Sequence, residues 1–234
     1  MTEPSRPVGR RGLFAVLGAG ALGVGLMSAA RATDGPASGA EAGGEPWRPT
    51  REPQDDWMEL PGRHRMVFDA ISPKGAGDAL AFADTFILAN RLGYRIEAKD
   101  LGVIIVLRHL ATPFAFGDPI WARYGGLIGR LIKFNDPLTR RPPHTNLYLT
   151  RRPGKRHEDD ATLPELTRKG ARFAVCGMAT QGMSGLIAKQ TGQKAEAVHA
   201  ELVANLIPSA HLAAAGIVAV NRAQERGYAL AYIG

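Results

Sequence analysis

The chain has 234 residues, 45% of them apolar, which suits one medium domain with an ordinary core. The formal net charge is +7, but four arginines and one glutamate in residues 1–32 account for +3, so the remainder carries a mild +4. With no nucleic-acid-binding motif present, this balance argues against a nucleic-acid partner, and the single cysteine, Cys176, excludes an internal disulfide.

The first 32 residues have the pattern of a twin-arginine export signal. Arg10 and Arg11 are adjacent, and an uncharged, Gly- and Ala-rich stretch follows from Gly12 to Ala30. Ala30-Arg31-Ala32 then supplies the small-x-small pattern of a signal peptidase site. The five glycines among the nineteen residues of that stretch weaken the alternative of a permanent membrane anchor. We therefore predict export through the twin-arginine translocase to the periplasm, with no membrane span left after cleavage.

Residues 33–62 are predicted to be a flexible linker. The segment is rich in Gly, Pro, Ala, Glu and Asp and has no apolar period, so it cannot bury enough surface to offset its ordering entropy. Four apolar side chains are exceptions that are expected to dock on the domain: Trp47, Trp57, Met58 and Leu60.

The folded domain is predicted to begin at residue 63 and to run to residue 234. Residues 64–71 form a short apolar strand, and residues 77–93 have helical spacing and end at a glycine. Residues 102–110 are a nearly continuous apolar run, typical of a buried parallel strand. A helix over 119–133 precedes a Pro- and Arg-rich loop at 135–160, whose length indicates a functional or mobile segment.

Helices and strands continue to alternate to the end of the chain. The predicted elements are a helix at 163–170, a strand at 171–177, one or two helices in 178–206 with a break near residue 191, a strand at 210–215, a helix at 216–227 and a strand at 228–234. Such alternation predicts an α/β sandwich with a mostly parallel five-stranded sheet.

The carboxyl ends of the strands select the candidate site. In open α/β sheets ligands bind at that edge, where the first strand ends at Asp69, the second at Arg108 and His109, and the third at Cys176. Cys176, Arg108 and His109 are therefore the predicted site residues, with Asp69 a weaker candidate. Cys176 also precedes a helix start, and a helix amino terminus and a nearby cation both favour the thiolate.

Two other interpretations of Cys176 remain open from the sequence. Free cysteines are often buried small hydrophobes, which makes a purely structural role an alternative. Met178 and Met183 lie close to Cys176 and, with His109, suggest a soft-metal module for an ion such as copper(I), although methionines at such positions commonly pack in a core. The sequence has no CxxC, HExxH or GxSxG motif and no GxGxxG after the first strand, so it predicts no bound cofactor or metal.

From about residue 63 onward the chain resembles the DsrE superfamily of sulfur-relay proteins. The similarity lies in the strand-Cys-Gly segment ARFAVCGMA after the helix LPELTRKG, and in the ending LIPSAHLAAAGIVAVNRAQERGYALAYIG. PGRHRMVFDAI, RHLATPFAFGDPIWARYG and PPHTNLY resemble a subgroup with twin-arginine signals.

The resemblance implies a flavodoxin-like three-layer α/β sandwich and a protein that handles thiols or sulfur. In sulfur-transfer members the strand-end cysteine carries a persulfide, and the matching position here is Cys176. It also implies a homo-oligomer, a trimer or a hexamer, and a thiol or sulfur carrier as partner. This chain departs from those members in its export signal and in an insertion between its second strand and the cysteine-bearing strand.

Overall fold

Five short runs of mostly apolar residues form the strands of the protein. They are β1 (His64–Ala70), β2 (Leu101–Leu107), β3 (Arg172–Cys176), β4 (Ala210–Ala213) and β5 (Ala229–Ile233). The computed structural model describes residues 47–151 and 161–234. In this part of the chain all strand pairs are parallel, and the strand order is β4-β3-β2-β1-β5.

In the described part of the chain, six α-helices connect the strands. They are α1 (Pro73–Tyr94), α2 (Asp118–Leu131), α3 (Leu163–Arg168), α4 (Gly177–Thr191), α5 (Ala195–Ala204) and α6 (Gly216–Glu225). Three 3₁₀ helices span Pro53–Met58, Ala98–Asp100 and His109–Ala115. Local chemistry sets several boundaries: the Ser72 hydroxyl accepts a hydrogen bond from the Gly75 amide at 2.9 Å and starts α1, and Thr162 forms a capping box with Glu165 at the start of α3.

The helices cover the two faces of the sheet unequally. The front face packs against α1 to α5 and holds the larger core, which includes Phe114, Trp121 and Phe173. The back face packs against α6, in a smaller core that includes Ile104 and Val220. Among the described connections, only the one that follows β4 passes over the back face. This single crossing gives the fold its third layer.

The fold class predicted from the sequence is confirmed. The sheet has the expected five strands, and it is all-parallel rather than mostly parallel. The likeness to flavodoxin lies in the three layers, since flavodoxin has the strand order 2-1-3-4-5. The export signal predicted at residues 1–32 lies outside the described residues. Among the described helices, none combines the length and the hydrophobicity that crossing a bilayer requires.

A short segment from the predicted linker packs against the back face. Residues 53–60, which we call the strap, contain the first 3₁₀ helix, and both Met58 and Leu60 are buried. The Tyr228 hydroxyl donates a 2.7 Å hydrogen bond to the Met58 carbonyl, and burial raises the pKa of Tyr228 to about 12. The end of the predicted linker, residues 53–60, is therefore packed on the domain.

An arginine cluster holds the end of the strap. Glu59 lies 2.7 Å from Arg51, 3.1 Å from Arg226 and 3.9 Å from Arg65. The Arg226 side chain is fully buried, and its Nε, although near Glu59, is not aligned for a hydrogen bond. The Glu59 carboxylate thus forms ion pairs with three guanidinium groups, so charge as well as packing holds the strap in place.

The described part of the long loop, residues 135–151, is anchored at Asn146. Its buried side-chain amide donates 2.8 Å hydrogen bonds to the carbonyls of Phe114 and Phe116, and its backbone N–H donates to Asp118 at 2.8 Å. This stretch of the loop is therefore tied to the start of α2, whereas residues 152–160 lie outside the described residues.

Candidate functional site

The topology of the sheet marks one place at its carboxyl edge. The connections after β1, β2 and β3 leave toward the front face, whereas the connection after β4 leaves toward α6 on the back face. The loops after β3 and β4 therefore diverge, and the crevice at such a switch point is where open α/β sheets bind ligands. Cys176 ends β3 and pairs with Ala213, which ends β4. The single cysteine thus lies at the switch point.

Cys176 is held at the start of helix α4. It is the N-cap residue, and its Sγ accepts a hydrogen bond from the Ala179 backbone N–H at 3.4 Å. Side chains alternate between the two faces of a strand, so Cys176 shares the back face with Ala174. The residue is 8% exposed. The sulfur therefore lies at the positive end of a helix dipole with limited access to solvent.

Arg108 and Asp69 form a bidentate ion pair at the same edge. The Arg108 Nε donates to Asp69 Oδ1 at 2.7 Å, and its Nη2 donates to Oδ2 at 2.8 Å. The hydrogen bond to Asp69 raises the pKa of Arg108; burial opposes the rise, and the negative charge of Asp69 adds to it, with smaller additions from the ionised forms of Tyr232 and Cys176. Arg108 is thus a permanent cation that interacts electrostatically with Cys176, in a geometry fixed by a buried carboxylate.

Helix α6 begins directly against Arg108. A Cβ at Gly216 would lie 2.4 Å from the Arg108 Cβ, so only glycine permits this approach. No side chain caps the amino terminus of α6, where Ala215 is the N-cap residue. The edge therefore brings a thiol together with a guanidinium group and the amino-terminal ends of α4 and α6. The guanidinium group and the two helix ends favour an anion.

The structure separates His109 from the other predicted site residues. His109 is exposed, adopts a left-handed conformation with φ of 54°, and starts the 3₁₀ helix that follows β2. Within the described ranges no hydrogen bond or ion pair joins it to Cys176, Arg108 or Asp69. Tyr232 was not predicted, yet it pairs with Asp69 and so lies at the same edge of the sheet, at the end of β5. The position of Tyr232 at the carboxyl end of the last predicted strand was the only signal for it in the sequence.

The methionines near Cys176 do not form a shared soft-metal site with it. Met183 is buried in the front-face core, whereas Met178 is 70% exposed. Five positions along a helix turn the side chain by about 140°, which accounts for the difference. Among residues 47–151 and 161–234, no group of three or more His, Cys, Asp or Glu side chains is placed to hold a metal ion. The geometry thus gives the copper alternative no support.

His211 lies on the same face of the sheet as Cys176, on the neighbouring strand β4. It pairs with Ala174 on β3, two residues before Ala213, a step of about 6.6 Å along the strand. The ring of Trp57 from the strap stacks on the His211 ring at 4.4 Å with an interplanar angle of 4°. Burial lowers the pKa of His211, and the nearby Arg172 lowers it further.

We expect Trp57→Ala to raise the pKa of His211 toward its ordinary value, because the ring loses its cover. The lowered pKa also means that strap docking is fully favoured above the ordinary histidine pKa and weakens as the pH falls through the titration of His211. Proton NMR titration of the histidine ring signals measures both effects. Tyr94→Ala, which removes an exposed ring at the end of α1, is the control; an identical His211 titration in all three proteins contradicts the prediction.

Comparison with protein-family models, with curated proteins and with solved structures finds no match for this chain. The chemistry of the edge itself therefore carries the functional argument. Arg108 supplies a fixed positive charge, and the α4 amino terminus supplies a hydrogen bond to the Cys176 sulfur. A cation and a helix amino terminus beside a cysteine are features of electropositive cysteine sites.

Proposed function

We propose that the protein is an exported thiol- or sulfur-handling protein in which Cys176 accepts and holds sulfane sulfur, as the resemblance to the DsrE superfamily implies. The observation that carries the proposal is the position of the only cysteine: it lies at the topological switch point, within electrostatic range of a guanidinium group. Residues 1–32 are proposed to direct the domain to the periplasm through the twin-arginine translocase, with a thiol or sulfur carrier as its partner there.

The proposed reaction is a transfer between sulfur atoms. The Cys176 thiolate attacks a sulfane sulfur of a polysulfide, and a new S–S bond forms between Sγ and that sulfur. The S–S bond in the donor breaks at the same time, and the shortened polysulfide leaves with the electron pair. An acceptor thiolate then attacks the outer sulfur of the Cys176 persulfide, the S–S bond to Sγ breaks, and the Cys176 thiolate leaves with the electron pair. The exchange balances without an outside oxidant or reductant.

The neighbours of Cys176 have distinct roles in this proposal. The Ala179 N–H stabilises the sulfur anion directly, whereas Arg108 does so by its charge. Asp69 acts as a positioning residue because its two hydrogen bonds fix the guanidinium group. His109 remains in the proposal only as an exposed imidazole at the same edge of the sheet. With 8% of the cysteine exposed, a small donor such as polysulfide reaches it more readily than a bulky one.

The proposal is tested by mass spectrometry of the purified protein after incubation with polysulfide. We expect one or more added sulfur atoms on the native protein, released by a reductant, and none on Cys176→Ser. Arg108→Lys, which retains a cation but loses the bidentate geometry, is expected to load several-fold more slowly. Arg123→Lys, on an exposed arginine that pairs with Glu201, is the matched control.

The limited exposure of Cys176 favours one alternative, a structural domain in which the cysteine only fills space. The same experiment separates the two. If the native protein gains no sulfur while the urea-unfolded protein does, the cysteine is sealed in the fold and the structural alternative holds. If the native, folded protein gains sulfur and Cys176→Ser does not, the sulfur-handling proposal holds.

A further inference from the structure

The two edges of the sheet differ in how they are protected. Strand β5 pairs only with β1, so the backbone N–H and C=O groups on its outer side have no partner within the sheet. Its sequence, Ala-Leu-Ala-Tyr-Ile, has no charged residue, no proline and no glycine. Proteins normally blunt an exposed edge with lysine, proline, a bulge or a covering segment. Strand β5 has an uncharged, regular edge.

Strand β4, at the other edge, is shorter and partly covered. It has four residues, and its His211 is stacked beneath Trp57 of the strap. Strand β5, by contrast, exposes Leu230 (42%) and Tyr232 (59%). Within residues 47–151 and 161–234, the outer edge of β5 is therefore free for pairing.

Apolar side chains flank β5 on both faces of the sheet. Leu230 pairs with Val67 of β1, which places Leu230 and Tyr232 on the back face. On the front face Phe82 is 52% exposed and lies one helical turn before Phe86, whose ring contacts Phe68 of β1. An occupant of this edge thus gains backbone hydrogen bonds and apolar contacts together.

We propose that β5 pairs antiparallel with β5 of a second copy of this chain, across a two-fold axis, to form a continuous ten-stranded sheet. An axis at Ala231 places Leu230 of one copy opposite Tyr232 of the other, twice, on the back face. No charged residue lies within the paired strands, so no like charges meet. An apolar edge of this kind matches itself, and it offers no charge pattern that would select a different strand.

The area buried between two copies reaches that of a stable dimer only if the rings of Phe82 and Tyr232 are part of the interface. A specific interface buries at least about 1,000 Å² in total. Aromatic side chains bury roughly 150–250 Å² each when fully covered, and Phe82 and Tyr232 are about half exposed. The four rings of a pair then supply roughly 300–500 Å². The two strands and Leu230 have to contribute the rest, which places the interface at the lower end of the stable range.

The mass of the purified protein in solution tests the proposal. We expect the wild type to sediment as a dimer or a higher even assembly, and Leu230→Lys to halve that mass because a lysine blocks the edge. Leu212→Lys, at a comparably exposed leucine on β4, is the matched control and is expected to keep the mass. Circular dichroism confirms that each variant is folded. A monomeric wild type at high concentration overturns the proposal, as does an assembly that Leu212→Lys breaks and Leu230→Lys does not.

A cross-link tests the two-fold axis directly. In a Cys176→Ser background, Ala231→Cys faces its own copy across the axis at a Cα separation of about 4.5–5.5 Å, which permits a disulfide. We expect mild oxidation to give a covalent dimer with Ala231→Cys and several-fold less with Ala229→Cys, which lies off the axis. Equal cross-linking at the two positions overturns this pairing. The outcome is independent of sulfur loading at Cys176, so the two proposals stand or fall separately.

Discussion

Arg108→Met is expected to lower the free energy of unfolding by about 3 kcal/mol, because it leaves the carboxylate of Asp69 buried without its cation. Only 3% of the Asp69 side chain is exposed, and Arg108 supplies both of its hydrogen bonds. Water therefore has little access to replace the lost partner. Guanidinium unfolding followed by circular dichroism measures the loss.

A surface ion pair gives the matched control for this substitution. Arg123 pairs with Glu201 at 2.6 Å, but 53% of its side chain is exposed. Exposed pairs contribute at most about 1 kcal/mol, so Arg123→Met is expected to have a small effect. If Arg108→Met lowers the free energy of unfolding no more than Arg123→Met does, the buried Asp69 carboxylate does not depend on Arg108 for its stability.

A double substitution separates the charge from the packing. Replacing a buried ion pair with apolar residues of similar volume is often neutral. Asp69→Leu combined with Arg108→Met is therefore expected to return to within about 1 kcal/mol of the wild type. A double variant as unstable as Arg108→Met alone shows that shape, rather than charge, sets the cost.

The sequence predicted the elements well because each signal is local. Strand β2 is buried at all seven positions, and a buried parallel strand has the continuous apolar run that the sequence shows. Two element boundaries differ from the predicted ones. Helix α1 starts at Pro73 because Ser72 caps it. Strand β2 ends at Leu107 because a 3₁₀ helix begins at His109, which has a positive φ. The linker composition of residues 33–62 still leaves room for the strap: Trp57, Met58 and Leu60, three of the four apolar side chains expected to dock, pack on the back face. Trp47, the fourth, is exposed.

The site was predictable only residue by residue. Their positions at the carboxyl ends of predicted strands were enough to select Asp69, Arg108 and Cys176 as candidates. The contacts between these residues depend on the strand order. Asp69 meets Arg108 because β1 and β2 are neighbours, and Tyr232 approaches Arg108 because β5 returns to the other side of β1. The switch point at Cys176 exists because α6 crosses the back face, and no local pattern encodes that crossing.

Gly177→Ala is expected to be the most disruptive small substitution at the switch point. A Cβ at this position would lie 2.6 Å from the Ala213 carbonyl oxygen and 3.1 Å from that of Ala214. Both neighbours are backbone atoms, so the loops after β3 and β4 have to separate. Overpacking of this kind costs about 1–3 kcal/mol, more than the gain of less than about 1 kcal/mol from alanine in a helix. Thermal unfolding measures the net loss.

Gly182→Ala in the same helix is the matched control, because a Cβ there meets nothing within 4 Å. It is expected to be neutral or to stabilise by up to about 1 kcal/mol. If Gly177→Ala stabilises the protein equally, the two loops are not held in contact.

The same pair of variants reports on access to the thiol. Since Gly177 follows Cys176 directly and touches the loop after β4, pushing the loops apart opens the crevice beside the sulfur. We expect native Cys176 in Gly177→Ala to react several-fold faster with a small disulfide reagent, whereas Gly182→Ala keeps the wild-type rate. If Cys176 in Gly177→Ala reacts faster with the reagent and sulfur loading is retained, the narrow crevice limits the size of the donor that reaches the sulfur in the wild type. An unchanged rate means that the sulfur is reached by another path, from the back face beside Ala213 and the strap.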